Sequence, residues 1–287
     1  IGGSLARALR CSGFSRHFIG CGHREPSLRR GVELGVIDEF TLDLAEATER
    51  ADILVVCAPT LIAAHTLREI LPRLAGADDG PVVTDVASVK GNLLRAAMES
   101  CGGTFPPRLV LGHPIAGSER SGVDASDADL FVNHRVILTP EEGNDPAAVE
   151  LIRRMWVSTG AEVVDMTVSA HDAVLAATSH LPHVLAYALV DALAGSESNE
   201  QVFQFAAGGF RDFTRIASSD PVMWRDIAIA NRDALLHSID SFSEQLAKLR
   251  EAVASEDGQQ LFDTFTRAKQ ARDEFAAILA ARSKTTS

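Results

Sequence analysis

The chain lacks three things that would each have set its class. Its four cysteines, Cys11, Cys21, Cys57 and Cys101, show no CxxC spacing, which excludes a zinc-ribbon or redox motif of that type. Two of them end apolar runs that read as strands, so buried free thiols in a reducing compartment are expected. Basic charge is in deficit as well: 27 Lys and Arg stand against 39 Asp and Glu, a formal net charge of -12. Such a chain repels a phosphate backbone or an anionic membrane surface, so no nucleic-acid or membrane partner is expected. An anionic small substrate must then meet a local cluster of Arg and His. Finally, no apolar run reads as approaching the roughly 20 residues that a bilayer demands, and no charged-then-apolar leader precedes the first helix. Cytoplasmic placement follows as the expectation.

What is present is the composition of a globular protein, with 46% hydrophobic and 23% charged residues in 287, enough for two domains and a cleft. The chain opens on Ile1 and runs straight into Gly-Gly-Ser and an apolar helix, as though a motif were entered midway, so further residues upstream are expected. The first half alternates β-rich runs with helical stretches, the pattern of a parallel sheet with crossover helices. The strands read as His17-Cys21, Asp52-Cys57, Val82-Val86, Leu109-Leu111, Val136-Leu138 and Glu162-Val164, with helices such as Leu61-Leu74 and Ala147-Trp156 between them. From Thr167 onward strand signals stop and Ala/Leu-rich helices take over. The reading is an α/β dinucleotide-binding domain of Rossmann type over 1–166, with its first strand missing, followed by an all-α domain over 167–287.

In the second half Leu235, Ile239, Phe242, Leu246 and Leu249 recur at helical steps, as do Leu261, Phe265, Ala268, Phe275 and Ile278. Two long helices with apolar seams follow. The seams either pack on each other or form a dimer interface.

Several short stretches carry chemistry. Ile1-Gly2-Gly3-Ser4-Leu5-Ala6 fits the end of a dinucleotide fingerprint, in which a helix N-terminus faces the pyrophosphate; it also fits a simple helix cap. After the next strand comes Gly22-His23-Arg24 where an acidic residue would hold the ribose 2′-hydroxyl. Its absence favours NADP or dual use over strict NAD, unless this is only a solvated basic turn. Asp85-Val86-Ala87-Ser88-Val89-Lys90 follows a strand and opens a helix, where open α/β sheets place ligands, although Ser88 also suits an N-cap. Pro59 lies at the corresponding end of the preceding strand. In Gly112-His113-Pro114 a loop histidine flanked by Gly and Pro follows another strand, and its side chain titrates near neutrality, as a general base requires. Ser179-His180-Leu181-Pro182-His183 puts two histidines on one helical face two turns after Asp172; no third ligand stands at zinc spacing, so no metal is expected. Gly208-Gly209 and the arginines Arg211 and Arg215 suit a carboxylate grip, and Asp220-Pro221 opens a helix.

Taken in order with Leu138-Thr139-Pro140 and Asp212-Phe213-Thr214-Arg215-Ile216-Ala217, these motifs resemble the prephenate/arogenate dehydrogenases, also called cyclohexadienyl dehydrogenases, over essentially the whole chain. The resemblance implies oxidative decarboxylation of prephenate or arogenate with hydride transfer to NAD or NADP, in tyrosine biosynthesis. It also implies a helical dimerisation domain and an active site in the cleft. Carried onto matching positions, His113 is the catalytic histidine and Ser88 its hydrogen-bonding partner near the nicotinamide. Arg215 binds a substrate carboxylate. His183, Gly208 and Trp224 complete the pocket, and Ser118 matches a position brought toward the neighbouring active site of a homodimer. Gly2, Ser4, Arg24, Pro59 and Ser88 fall to the cofactor. The sequence leaves two rivals: a β-hydroxyacid-type dehydrogenase, disfavoured because no lysine lies between Lys90 and Lys248, and an inactive nucleotide-sensing dimer.

Overall fold

The computed structural model describes residues 1–74, 80–117, 122–195, 201 and 204–285. Its first 165 residues are an α/β arrangement. In chain order these are α1 (Gly2–Cys11), β1 (Ile19–Cys21), α2 (Glu25–Glu33), β2 (Glu39–Thr41), α3 (Leu44–Arg50), β3 (Ile53–Val56), α4 (Thr60–Leu74), β4 (Val82–Asp85), α5 (Gly91–Ser100), β5 (Leu109–Val110), β6 (Gly112–Pro114), β7 (Arg135–Leu138), α6 (Pro146–Val157) and β8 (Glu162–Asp165). Strands β1 and β2 pair in parallel, β3, β4 and β5 form a parallel sheet in that order, and β6 runs antiparallel to β7, which pairs in parallel with β8.

Alternation along the strands decides which face each helix covers. Val82 and Val110 point into a cluster with Leu5, Ala8 and Leu9 of α1 and Ile152 and Met155 of α6. Their neighbours Val83 and Leu109 point the other way, onto Ala63, Leu67 and Ile70 of α4 and Leu93 and Ala97 of α5. A sheet covered on both faces explains why β4 is buried at every residue.

The helical part begins with α7 (Val168–Leu175), whose N-terminus Thr167 caps by accepting the Ala170 N–H at 3.2 Å. A π-helical turn, Ala176–His180, joins it to α8 (Leu181–Ala194). Then come α9 (Gly208–Thr214), a 3₁₀ turn at Arg215–Ser218, α10 (Pro221–Ala230), α11 (Arg232–Ala254) and α12 (Gly258–Thr285). Asp220 caps α10 by accepting from Val222 and Met223, as its Asp-Pro start implied. The chain divides into two compact units, Ile1–Leu235 and Leu236–Ser287, so α7 to α10 share a unit with the sheet.

Four expectations change. The cysteines are free, but Cys11, Cys21 and Cys57 are exposed and Cys101 half-buried: Cys11 and Cys21 end their elements, Cys101 lies just past its own, and Cys57, just past β3, is covered on one side by the start of α1. Gly112-His113-Pro114 is a strand, not a loop. The seams of the long helices do not close on each other, since Leu246 is 54%, Phe265 59% and Phe275 52% exposed. Lastly, the continuous helix Val168–Ala194 is long and apolar enough to cross a membrane by length and composition; its inner face instead carries His171, Asp172 and His180, hydrogen-bonded within the first unit.

A buried ion pair ties β4 to β6. Lys90 and Asp85 are both fully buried and bonded to each other, and the Lys90 ammonium also donates to the Gly112 carbonyl at 2.6 Å. Asp85 accepts the N–H groups of Ala87 at 2.8 Å and Gly112 at 3.1 Å. Removing one partner of such a pair strands a buried charge. Lys90→Met should therefore lower the unfolding free energy by about 3–5 kcal/mol, read from denaturant melts; a loss under about 1 kcal/mol would mean that the pair is worth no more than a surface contact.

Candidate active site

The site grows from the carboxyl ends of β3 and β4, where an open parallel sheet leaves a crevice. A Cβ at Gly2 would lie 3.0 Å from the Cys57 Cβ, and one at Gly3 3.1 Å from the Ser126 Cβ. The start of α1 is thus pressed against the segment after β3, and no side chain caps its first turn. Ser4 is buried and its hydroxyl accepts the Asp127 N–H at 3.1 Å, which leaves the hydroxyl hydrogen and the backbone N–H as donors. Pro59 lies exposed beyond β3, and Ser88 half-buried beyond β4. Arg24 is exposed at the start of α2, and a side chain at Gly22 would meet nothing within 4 Å.

His113 comes from β6, opposite Ile137 of β7. Gly112 must be small there, because a Cβ would sit 3.3 Å from the Asp85 carbonyl oxygen. The ring of His113 is buried, and its Nδ1 lies 2.9 Å from Nε2 of His171 on α7. His171 Nδ1 in turn donates to Asp172 Oδ1 at 2.8 Å. Ser88 does not take that place: it makes no hydrogen bond among the described residues, because its strand-end backbone turns into α5 while α7 brings His171 onto His113. Burial, then the charges of Lys90, His171 and His180, hold the His113 pKa well below 6.5, so at neutral pH it is an uncharged base.

Asp172 anchors the approach of α7. It accepts the N–H groups of Lys90 at 2.9 Å and Gly91 at 2.8 Å, capping α5 from a distant helix. Burial works to raise its pKa, but the bonds from His171, Lys90 and Gly91 outweigh this and hold it below 3.8. The N-cap role considered for Ser88 therefore falls to Asp172.

His180 and His183 diverge. His180 is buried, and its Nδ1 accepts from the Asn231 amide at 3.1 Å. Burial lowers its pKa to about 4, opposed by Asp172 and helped by the charges of His171 and His183. His183 is half-buried, donates through Nδ1 to the Ser179 carbonyl at 2.8 Å, and stacks on Trp224 at 3.5 Å between ring centroids. Among the described residues the Trp224 indole N–H, shielded from solvent, has no hydrogen-bond partner, an arrangement that costs free energy until an acceptor arrives. Arg215 is exposed and close enough for its charge to depress the His183 pKa, after burial. Gly208 starts α9 and is exposed. Ser118 lies outside the described residues. Among these, no group of three or more His, Cys, Asp or Glu is arranged to hold a metal.

Sequence reading missed His171, Asn231 and the Asp85–Lys90 pair. The signal available was the His-Asp dipeptide one turn after a Thr cap.

Comparison with known proteins gives one family. Residues 5–165 match "Prephenate dehydrogenase, nucleotide-binding domain" and residues 167–267 match "Prephenate dehydrogenase, dimerization domain". The cyclohexadienyl dehydrogenase of Zymomonas mobilis is 37% identical over 246 residues, 85% of this chain and 81% of that protein. The prephenate dehydrogenase of Bacillus subtilis is 37% identical over 276 residues, 95% and 73% of the two. Among solved structures, Aquifex aeolicus prephenate dehydrogenase in complex with hydroxyphenyl propionate and NAD+ superposes with a TM-score of 0.85 at 38% identity, covering 95% of this chain and 94% of that one.

The depressed histidines make stability depend on pH. A histidine whose folded pKa lies below its unfolded 6.5 binds fewer protons when folded, so its penalty is absent above pH 6.5 and grows as pH falls toward the folded value. For His180, shifted from 6.5 to about 4, the full span corresponds to about 3 kcal/mol. The melting temperature should therefore fall between pH 6.5 and pH 4, and fall less steeply in His180→Asn. Parallel curves for the two proteins would show that His180 is not buried uncharged.

Proposed function

The chain belongs to the prephenate dehydrogenase family, and on that premise we propose that it oxidises and decarboxylates prephenate, arogenate or both, feeding tyrosine biosynthesis. The observation that carries this reading is His113, a buried, uncharged imidazole that meets His171 and feels the charge of His180, whose ring lies 6.2 Å from that of Trp224 between centroids.

The residues at the crevice fit a nicotinamide dinucleotide. The uncapped first turn of α1 and the close approach at Gly2 and Gly3 suit a pyrophosphate held by backbone N–H groups. Gly2, Ser4, Pro59 and Ser88 line this edge, and Arg24 stands where the adenosine ribose is read. Because Gly22 neither repels nor pairs with a 2′-phosphate and Arg24 can pair with it, NADP is accepted beside NAD. Bound there, the nicotinamide supplies the hydride acceptor.

The chain's own residues do the rest. His113 draws the proton from the substrate's ring hydroxyl as that carbon gives up hydride, while the ring carboxylate departs as carbon dioxide and the ring becomes aromatic. Arg215 grips the side-chain carboxylate with a two-pronged guanidinium contact. His183 and Trp224 form one stacked wall, and Gly208 leaves room beside them. Since aromatisation drives the reaction, alignment contributes most of what the protein must add.

The helical part serves dimerisation, with 1–166 as the nucleotide domain and 167–287 as the partner-binding one. Exposed Phe242, Leu246, Phe262, Phe265, Phe275 and Ile278 on α11 and α12 make an apolar surface of the kind that a second copy covers.

Two substitutions test the site. His113→Asn should keep the fold and cofactor binding while lowering kcat by roughly two or more orders of magnitude; turnover within a few-fold of the parent would make His113 structural. Arg215→Ala should raise KM by roughly ten- to a hundredfold with kcat changed much less, because a grip remote from the reacting carbon is equal in ground and transition states. An unchanged KM at an unchanged melting temperature would place the carboxylate anchor elsewhere.

A further inference from the structure

Hydrogen-bond polarity runs one way through the buried contacts behind His113. The Asp172 carboxylate is held ionised by the Lys90 and Gly91 N–H groups and can only accept. Its contact with His171 therefore takes the hydrogen of His171 Nδ1. In a neutral ring this leaves His171 Nε2 without hydrogen, an acceptor, and its 2.9 Å contact then requires the hydrogen of His113 to sit on Nδ1. The remaining nitrogen, His113 Nε2, carries the bare lone pair.

We propose that His171 is a positioning residue for the reaction: with Asp172 behind it, it fixes His113 in the tautomer whose Nε2 is free to take the hydroxyl proton. This rests on the reading of His113 as the base. Two features of the surroundings are built for it. Gly91 admits the Asp172 carboxylate, since a Cβ there would lie 2.7 Å from Oδ2. Asn231 donates to both the Asp172 carbonyl at 2.8 Å and His180 Nδ1 at 3.1 Å, so the π-helical turn that carries His180 is held in register with His171.

The relay also answers a cost. The titratable and charged groups around His113 are Asp85 at the end of β4 with Lys90 beyond it, His171 and Asp172 of α7, and His180 of the π-helical turn. Lys90 disfavours positive charge on His113. When Nε2 receives the substrate proton, the Nδ1 hydrogen is already shared with His171, whose far side faces the Asp172 carboxylate. The positive charge thus has a counter-ion two hydrogen bonds away, and no further proton acceptor is needed. A buried acid that orients a catalytic imidazole through its Nδ1–H is established chemistry in hydrolases; here a second imidazole is inserted between the two.

The test reads the tautomer directly. The full chain, labelled with ¹⁵N-histidine, is examined by long-range ¹H–¹⁵N correlation near neutral pH, with His113→Asn assigning the resonances. Nε2 of His113 should be the nitrogen without hydrogen. In His171→Phe that preference should be lost, and kcat should fall about tenfold or more with KM within about threefold. His171→Gln should restore most of the turnover, because its amide can donate to Asp172 and accept from His113. A bare Nδ1 in the parent protein overturns the proposal even if no variant folds, as does a folded His171→Phe with kcat within threefold of the parent. Full activity in His113→Asn would instead remove the assignment of the base, which the tautomer measurement does not depend on.

Discussion

The placement of His113 depends on one buried charge. The Lys90 ammonium has no access to water, and a buried cation persists only with its charge and hydrogen bonds answered. Asp85 and the Gly112 carbonyl answer them, while the other Asp85 oxygen takes the Gly112 N–H. The Gly112 peptide is thereby gripped at both ends, one residue before His113. The same short segment offers the N–H groups of Lys90 and Gly91 to Asp172, which sets His171. Residues 85–91 thus fix both members of the histidine pair.

That constraint shapes the electrostatics. Burial, joined by the Lys90 charge, keeps His113 uncharged, and burial does the same for His180; a base needs the first, and the fold loses stability in acid through both. The chain as a whole is acidic, yet the charge of Arg215 reaches His183, so an anionic substrate at the proposed site would meet local positive charge despite the net -12. The proposed reaction sets opposite demands at short range: an uncharged imidazole at His113 and an exposed guanidinium at Arg215.

Much of this was legible in the sequence. The short apolar runs at Val82-Val86 and Leu109-Leu111 announced strands, and Asp220-Pro221 announced a capped helix. The residues proposed to carry the chemistry, His113, Arg215, His183 and Trp224, stood out by their motifs. What stayed hidden was tertiary. Gly112-His113-Pro114 carries two residues that strands avoid, and its pairing with β7 follows from the Lys90 anchor rather than from propensity. β2 is only three residues long. His171 lies 58 residues from His113, and no local pattern links the two. The seams on α11 and α12 show the same periodicity whether they meet each other or a second chain, so only their exposure separated the alternatives.

In the proposed reaction His113 works as an uncharged base in the free enzyme. The pH dependence of kcat/KM tests it most directly, because that ratio reports ionisations of the free protein. It should be flat through neutrality and fall on the acid side with an apparent pKa below 6.5, and that limb should vanish in the residual activity of His113→Asn. A limb centred at or above 6.5, or one that survives the substitution unchanged, would contradict the claim.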